Sequence, residues 1–274
     1  WPGVTSTPLS KLDIALAQFC HGKQPSSDVR HRWLAALVSH QWGRGHACLD
    51  LSQSPEQTAI ALSWSTEQLQ ALPADLADAA HHMPWTQGDN SPLVLSGQRL
   101  YLRRAWQAEQ TIQDNLATRL QQSLVAPAEL DKQLDTLFEP NGSSTDLQRQ
   151  ACAHAAQHAV TLITGGPGTG KTTTVVRLLS TLVGAAAPEQ PLRIHLAAPT
   201  GKAAARLTES ITQALGKMPE AVRGLISPQA HTLHRLLQLH GTPSHNTREH
   251  QLATDVVVVD EASMVDLEMM ARLL

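Results

Sequence analysis

The chain has 274 residues, a net charge of −3 and 42% hydrophobic residues, which is enough for one large or two ordinary globular domains. It contains no run of eighteen apolar residues, so we expect no membrane-spanning helix and no membrane partner. Residues 1–144 carry 10 Lys and Arg against 14 Asp and Glu, and residues 145–274 carry 11 against 10, so neither part has the basic excess of a passive nucleic-acid binder. Three scattered cysteines and the absence of a secretory signal predict a reducing, cytoplasmic setting.

Composition changes abruptly near the middle of the chain. All nine aromatic residues precede position 139, and the segment EPNGSSTD at 139–146 has the Pro, Asn, Gly and Ser of a linker. The sequence therefore predicts a smaller, mostly helical amino-terminal domain over 1–144 and a second domain over 145–274.

The first region has mostly helical patterns. SKLDIALAQFC, DVRHRWLAALVSHQW and AWQAEQTIQDNLATRLQQ carry apolar residues at helical spacing, and SPLVLSGQRLYLRR predicts a strand, a tight turn and a second strand. Four tryptophans are expected in the core rather than as ligand platforms: Trp33, Trp64, Trp85 and Trp106. With no recognisable chemistry, this region is predicted to be a support or docking module.

The second region alternates between helical and strand patterns. Strands are predicted at AVTLIT, LRIHLAAP and TDVVVVD, and helices at QRQACAHAAQ, KTTTVVRLLSTLV, KAAARLTESITQAL and HTLHRLLQLH. Short apolar strands separated by crossover helices indicate an α/β fold, a parallel sheet with helices on both faces. The four valines predict a central strand.

TLITGGPGTGKTTTV matches the phosphate-loop pattern G-x-x-x-x-G-K-[ST] between a predicted strand and a predicted helix. Glycines let backbone N–H groups turn inward around an anion, and the helix directs its positive end at the same point. Lys171 is predicted to reach the β- and γ-phosphates of ATP, and Thr172 to ligate Mg²⁺. The predicted nucleotide-binding residues are Gly165, Gly166, Pro167, Gly168, Thr169, Gly170, Lys171, Thr172 and Thr173. A glycine-rich turn without a ligand is the alternative.

Two adjacent acids follow the valine strand. Ligands of parallel sheets lie outside the carboxyl ends of the strands, so Asp260 and Glu261 are expected beside the phosphate loop. Asp260 would hold Mg²⁺, and Glu261 would deprotonate the attacking water as a general base. A solvated turn is the alternative, but after a phosphate loop the pair favours an NTPase core with Lys171, Asp260 and Glu261 as its catalytic residues.

LAAPTGKAAARLTES is a strand followed by a helix start. It is no second phosphate loop, because the upstream glycine and the Ser or Thr after Lys202 are missing. Its backbone amides, Lys202 and Arg206 are suited to binding a nucleic-acid phosphate. An ordinary capped helix is the alternative.

Together GGPGTGKTTT, LAAPTGKAAARLTES, TLHRLL and VVVVDEASMVD resemble the first motor domain of superfamily 1 DNA helicases. More closely they resemble the RecD family, the alpha subunits of bacterial exodeoxyribonuclease V (RecBCD), and LVLSGQRLYLRRAW resembles that family's amino-terminal domain. The resemblance implies a RecA-like P-loop NTPase and an ATP-dependent 5′-to-3′ DNA helicase of double-strand-break repair and recombination. It also implies single-stranded DNA and RecC-like and RecB-like subunits of a heterotrimer as partners, with 1–144 docking on the RecC-like subunit.

The resemblance also assigns residues by position. Gln148 matches the glutamine that reads the adenine edge, which a Gln amide can do because it donates and accepts at once. Thr232 and His234 fall near the DNA track of the family, although a plain helix start explains them nearly as well. The predicted DNA-binding residues are therefore Thr200, Gly201, Lys202, Arg206, Thr232 and His234.

Later motifs of such helicases, a Gly-Asp-x-x-Gln type segment and the arginines of a second motor domain, do not occur in these residues. We therefore expect an amino-terminal fragment with a truncated sheet and marginal stability that binds ATP–Mg²⁺ weakly, hydrolyses it slowly and unwinds nothing. Three alternatives remain: a partner-docking protein with a vestigial nucleotide site, a single-chain RecD-like helicase, for which helix-hairpin-helix units are missing, and a nucleotide kinase or transporter ATPase.

Overall fold

The structure, a computed structural model, describes residues 7–122, 124, 129–138, 147–166, 168–186, 190–237 and 252–274. The chain divides into two compact units, 1–111 and 112–274. The linker predicted over 139–146 lies outside the described residues, and the domain boundary at 144 stays a prediction.

The first unit is mostly helical. Its helices are α1 (Lys11–Lys23), α2 (Val29–Gly43), α3 (Pro55–Leu62), α4 (Thr66–Leu69), α5 (Leu76–His81) and α6 (Arg103–Gln121), whose residues fall in both units. Side chains set where the first helices begin: Ser10 and Asp13 form a reciprocal capping box at α1, and Asp28 accepts a hydrogen bond from the Arg30 N–H at α2. The helices predicted over 10–20, 28–42 and 105–122 are confirmed as α1, α2 and α6.

Three short strands accompany these helices: β1 (Cys48–Asp50), β2 (Leu93–Ser96) and β3 (Arg99–Leu102), in the antiparallel order β1-β3-β2. The predicted hairpin is confirmed as β2 and β3. Its two-residue turn begins at Gly97, whose φ of +59° only glycine adopts at little cost. Strand β1 was not predicted, because three residues are too few for a periodic pattern to register.

Aromatic side chains fill the core of the first unit. Trp33 and Trp85 are 1% exposed and Trp64 is 5% exposed, which confirms the prediction for these three. Trp106 is only half-buried, so its placement in the core is wrong.

The second unit is an α/β layer structure. Its helices are α7 (Leu130–Leu137), α8 (Leu147–Ala155), α9 (Lys171–Ala185), α10 (Gly201–Leu215), α11 (Glu220–Arg223), α12 (Leu233–Leu236) and α13 (Leu267–Leu273). Its strands are β4 (Ile194–Ala198), β5 (Ala230–Thr232) and β6 (Val256–Val259), all parallel in the order β5-β4-β6.

Successive residues of the parallel strands bury opposite faces of this sheet. Leu196 and Val258 pack with side chains of α9 and α10, whereas Ala197 and Val259 pack with side chains of α12 and α13. The predicted parallel sheet with helices on both faces is therefore confirmed.

The strands of the second unit differ from the sequence prediction in three respects. Within the described sheet β4 is central, whereas the valine strand β6 lies at an edge with half-buried residues. Residues 230–232 form β5, so the helix predicted over 231–240 begins only at Leu233 as α12, and its residues 238–240 lie outside the described ones. The strand predicted at AVTLIT, residues 159–164, is not formed, because these residues make no ladder with a described strand.

No described helix combines the length and the apolar character needed to cross a membrane.

A bidentate ion pair between Arg193 and Asp255 joins the beginnings of β4 and β6. Arg193 donates from Nε and Nη2 to the two carboxylate oxygens of Asp255, each at 3.0 Å, and its backbone N–H donates to the same carboxylate at 2.8 Å. The Arg193 side chain, aided by that backbone donor, lowers the pKa of Asp255 from 3.8 to about 2. The Asp255 carboxylate that links the two strands is thus held in its charged form by Arg193.

We expect the lowered pKa of Asp255 to make the stability of the second unit depend on pH. A folded-state pKa below the unfolded value stabilises the fold above about pH 3.8, and the contribution is lost as the pH falls through about 2. In thermal melts between pH 7 and pH 2, Asp255→Asn should melt below the parent chain at neutral pH, and the difference should shrink towards pH 2. Arg193→Met should remove the same pH-dependent part. A difference that stays constant over the whole range would contradict this.

Candidate nucleotide-binding site

The predicted phosphate loop lies directly ahead of α9. Gly170, with φ of +82°, is the residue before the helix, and no side chain caps the first turn that begins at Lys171. The first N–H groups of a helix have no partner within it and carry its partial positive charge. This turn is therefore open to an anionic ligand.

Two glycines of the loop lie close to neighbouring side chains. A Cβ at Gly165 would lie 2.7 Å from the Thr169 hydroxyl, and one at Gly170 would lie 2.6 Å from Nε2 of Gln148. Gly168 and Gly170 also have positive φ values of +74° and +82°. The loop is thus a tight cradle that side chains at these positions would fill.

Lys171 closes the loop on itself. Its ammonium donates to the carbonyl oxygens of Gly165 at 2.6 Å and Gly166 at 2.9 Å, and the Thr169 hydroxyl also donates to the Gly166 carbonyl at 2.9 Å. A cation with three donors is therefore held over the cradle by short contacts within seven residues of chain.

Gln148 joins the loop to α9. Its Nε2 donates to the Thr169 carbonyl at 3.2 Å, and its Oε1 accepts a hydrogen bond from Nη1 of Arg177 at 3.1 Å. The residue predicted to read adenine is therefore engaged on both sides of its amide, and its role in reading adenine stays a prediction.

The carboxyl ends of the parallel strands bring the other predicted segments to one edge. Ala198 is in register with Thr232, and Ala197 with Val259, so the chain leaves β5, β4 and β6 side by side. Thr200 follows β4 at the centre of this row, and Asp260 follows β6. Predicted DNA-contacting and catalytic segments thus share this edge of the sheet.

A cavity of about 200 Å³ lies at this edge. Its lining residues are Thr200, Lys202, Ala203, Arg206, Asp260, Glu261 and Met264. Lys202 and Arg206 are four residues apart on α10, so one helix face presents two cations to the same cavity as the two acids.

The acidic pair has an unusual backbone. Glu261 adopts φ of +53°, a region that non-glycine residues avoid, and its N–H donates to Oδ1 of Asp260 at 3.0 Å. The Asp260 N–H in turn donates to the Ala197 carbonyl at 2.9 Å. Strain of this kind persists where surrounding contacts fix it, and it clusters at functional sites.

The phosphate loop and the acidic pair were predicted to share one Mg²⁺, but the contacts described above do not join them. No described residue of the phosphate loop lines the cavity of Asp260 and Glu261, so a single Mg²⁺ shared by Thr172 and Asp260 stays a prediction. Thr172 and Thr173 are half-buried in the first turn of α9, and Pro167 lies outside the described residues.

Two of the residues predicted to contact DNA, Thr200 and Thr232, have an ordinary structural role as helix caps. The hydroxyls of Thr200 and Thr232 accept hydrogen bonds from the backbone N–H groups of Ala203 and Arg235, as helix caps do. The alternative of capped helix starts therefore holds for these two hydroxyls. Gly201, Lys202, Arg206 and His234 are exposed, and DNA contact at all six positions stays a prediction.

Sequence reasoning missed Arg177 and Phe138. The Arg177 guanidinium lies 4.6 Å from the centre of the Phe138 ring and donates to Gln148. An arginine in the second turn of a helix resembles an ordinary solvated face, so no sequence signal singled it out.

A parallel sheet flanked by helices, with a glycine cradle and a lysine at the start of α9, defines a P-loop NTPase domain. Residues 148–274 match the family model of an AAA domain, and residues 6–101 match that of the RecBCD enzyme subunit RecD, N-terminal domain.

Curated relatives agree with these two matches. The chain is 37% identical to the RecBCD enzyme subunit RecD of Haemophilus influenzae, over 97% of the chain and 46% of that protein. It is 37% identical to the RecD subunit of Mycolicibacterium smegmatis, over 97% of the chain and 47% of that protein. It is also 30% identical to the ATP-dependent RecD2 DNA helicase of Deinococcus radiodurans, over 68% of the chain and 24% of that protein.

The chain belongs to the RecD family. It spans about half the length of the RecD subunits that it matches.

Proposed function

We propose that the chain provides the nucleotide-binding part of an ATP-dependent 5′-to-3′ DNA helicase subunit of a RecBCD-type helicase and nuclease. The observation that carries this proposal is the glycine cradle under the Lys171 ammonium, directly ahead of the uncapped first turn of α9. Membership of a family whose members are named as RecBCD subunits and as a DNA helicase supports the choice of motor over other phosphate-loop enzymes.

The loop residues fit a triphosphate. Because Gly165, Gly166, Gly168 and Gly170 have no side chains, backbone N–H groups of the loop can approach phosphate oxygens closely. Lys171 would exchange its two carbonyl partners for the β- and γ-phosphates, and the N–H groups at the start of α9 would bind the same anion. The remaining nucleotide contacts are assigned to Gly166 to Thr169, Thr172 and Thr173.

The acids at the end of β6 would complete the site. Asp260 and Thr172 offer the hard oxygen ligands that Mg²⁺ prefers, and a bound Mg²⁺ would neutralise phosphate charge. Glu261 would orient and deprotonate the attacking water. The hydrogen bond from the Glu261 backbone N–H to Asp260 Oδ1 orients the Asp260 carboxylate.

The edge beside these acids suits a nucleic-acid strand. Lys202 and Arg206 present two exposed cations from one face of α10, next to the exposed residues Gly201 and Thr200. We assign phosphate contacts of single-stranded DNA to these residues and to Thr232 and His234, which begin the adjacent helix. Binding of DNA and hydrolysis of ATP would then meet across the cavity that holds Lys202 and Glu261.

Residues 1–144 would act as the docking domain. Residues 6–101 match the family model of the RecD amino-terminal domain, and they contain the buried tryptophans of the first unit. We propose RecC-like and RecB-like subunits as the partners, in a cytoplasmic heterotrimer, because the relatives are named as subunits of such an enzyme.

The test is Glu261→Gln in the protein assembled with its partner subunits. The amide keeps the shape of the side chain but cannot take a proton, so DNA-stimulated ATP hydrolysis should fall by about 10²- to 10⁴-fold while ATP binding is retained. Steady-state hydrolysis and equilibrium binding of ATP, each with and without single-stranded DNA, measure both quantities. Equal and negligible hydrolysis by the parent protein and the variant would favour a docking protein with a vestigial nucleotide site.

A further inference from the structure

Arg177 lies six residues after Lys171 on α9 and connects three elements of the second unit. Its Nη1 donates to Oε1 of Gln148 on α8, and its guanidinium lies over the ring of Phe138 at the end of α7. Phe138 is only 4% exposed and packs with side chains from α7, α8 and α9. The guanidinium is therefore held between a fixed aromatic ring and the Gln148 amide.

The chemistry of Arg177 decides which way the Gln148 amide faces. A guanidinium has donors and no acceptor, so it can pair with the Gln148 oxygen but not with its NH₂ group. With the oxygen turned to Arg177, the NH₂ group is turned to the Thr169 carbonyl, 3.2 Å away. The opposite orientation would set donor against donor and acceptor against acceptor. Arg177 thus selects the orientation in which Gln148 holds the loop.

Holding the Thr169 carbonyl also fixes a donor of the cradle. The Thr169 carbonyl and the Gly170 N–H belong to one planar trans peptide, in which they point in opposite directions. Gln148 on the carbonyl side therefore orients the Gly170 N–H away from itself. The close approach of Gln148 to Gly170, where a Cβ would lie 2.6 Å from Nε2, leaves this peptide little freedom.

A further feature indicates that Arg177 is not present for stability alone. Its Nε is buried and has no hydrogen-bond partner among the described residues. A buried donor without a partner costs stability, which indicates a role other than packing.

We propose that Arg177 is a positioning residue for nucleotide binding, acting through Gln148 on the Thr169–Gly170 peptide of the phosphate loop. This inference rests on the proposed nucleotide site, and it separates two roles of Gln148. Reading adenine concerns the base, whereas holding the Thr169 carbonyl concerns the phosphates. A ligand that has phosphates and no base therefore isolates the role that depends on Arg177.

The experiment compares binding of Mg–ATP and Mg–tripolyphosphate to the 274-residue chain by titration calorimetry. Arg177→Met keeps the length of the side chain but removes the donors, so its affinity for both ligands should fall by roughly 3- to 10-fold, the value of one lost hydrogen bond. Arg177→Lys, which keeps a donor and the cation over Phe138, should lie closer to the parent chain. The matched control is Arg223→Met, because Arg223 donates to the Met218 carbonyl between α10 and α11 and should leave both affinities unchanged.

A double-mutant cycle with tripolyphosphate gives the decisive result. If Arg177 acts through Gln148, the variant with both Arg177→Met and Gln148→Ala should bind no more weakly than the weaker single variant. The inference would be overturned if the affinity losses of the two single variants multiplied in the double variant. It would also be overturned if Arg177→Met bound tripolyphosphate like the parent chain. Neither result would argue against the nucleotide site itself. A parent chain that binds neither ligand would instead refute the proposed function, and the inference with it.

A second variant keeps the inference testable if Arg177→Met does not fold. Should Arg177→Met lack a cooperative thermal melt, Gln148→Glu tests the same relay from the other side. A carboxylate accepts from Arg177 but cannot donate to the Thr169 carbonyl, so tripolyphosphate affinity should fall by a similar factor although the contact with Arg177 is kept. Parent-like affinity in Gln148→Glu would overturn the inference.

Discussion

Lys171→Ala is expected to reduce the affinity of the chain for Mg–ATP by about 10- to 100-fold, the value of a lost hydrogen bond to a charged group. In the protein assembled with its partners, ATP hydrolysis should fall by roughly 10²- to 10³-fold, as when one preorganised donor is removed from a developing charge. The reason is that the Lys171 ammonium, 2.6 Å from the Gly165 carbonyl oxygen and 2.9 Å from that of Gly166, would exchange these partners for the phosphates. Calorimetry with Mg–ATP and a phosphate-release assay measure the two losses.

Lys202→Ala is the matched control for this prediction. It removes the same charge from an exposed position on α10, in a cavity whose described lining includes no residue of the phosphate loop. Nucleotide affinity should therefore be retained, whereas binding of single-stranded DNA should weaken and lose about one unit of its salt slope. Parent-like ATP hydrolysis by Lys171→Ala would sink the nucleotide-site proposal, and equal loss of ATP affinity in both variants would contradict the separation of the two sites.

Trp85→Ala is expected to cost the first unit about 3–5 kcal/mol of its free energy of unfolding, which is a large part of the ~5–15 kcal/mol that stabilises a domain. Trp85 is 1% exposed, its ring meets His31 edge-on at 6.1 Å between ring centres, and its Nε1 donates to the Gln24 carbonyl at 2.8 Å. Truncation would leave a cavity in the core and a carbonyl without its donor. Urea denaturation followed by circular dichroism measures the loss.

Trp106→Ala provides the comparison, because Trp106 is half-buried. Its substitution should cost roughly 1 kcal/mol, near the average for point substitutions. If docking on partner subunits depends on the first unit, Trp85→Ala should also impair assembly at 37 °C, and Trp106→Ala should leave the fold able to assemble. Equal unfolding midpoints for Trp85→Ala and the parent chain would contradict the assigned core.

The features that the sequence predicted well are those in which neighbouring residues determine the outcome. Helices α1, α2, α9 and α10 follow from apolar spacing, and the turn at Gly97 follows from the conformational freedom of glycine. The cradle at Gly165 to Lys171 has the same origin, because its contacts lie within seven consecutive residues.

Features that depend on distant segments were predicted less well. Four valines in a row indicate a buried strand, but whether that strand is central depends on what pairs with it, and here β4 takes the centre. Residues 159–164 have the composition of a strand but make no ladder with a described strand. Pairing partners of high sequence separation leave no local pattern by which they could be recognised.

Local sequence patterns were therefore enough to define the class of site: a phosphate loop before a helix, two acids after a strand, and the order of motifs that places the chain in the RecD family. The contacts of those residues depend on the tertiary structure. It placed Lys202 and Arg206 opposite Asp260 and Glu261, and it joined Gln148 to Arg177 and the loop. Backbone geometry and helix periodicity act over a few residues, whereas the neighbours of a side chain are set by how strands pair and helices pack across the whole unit.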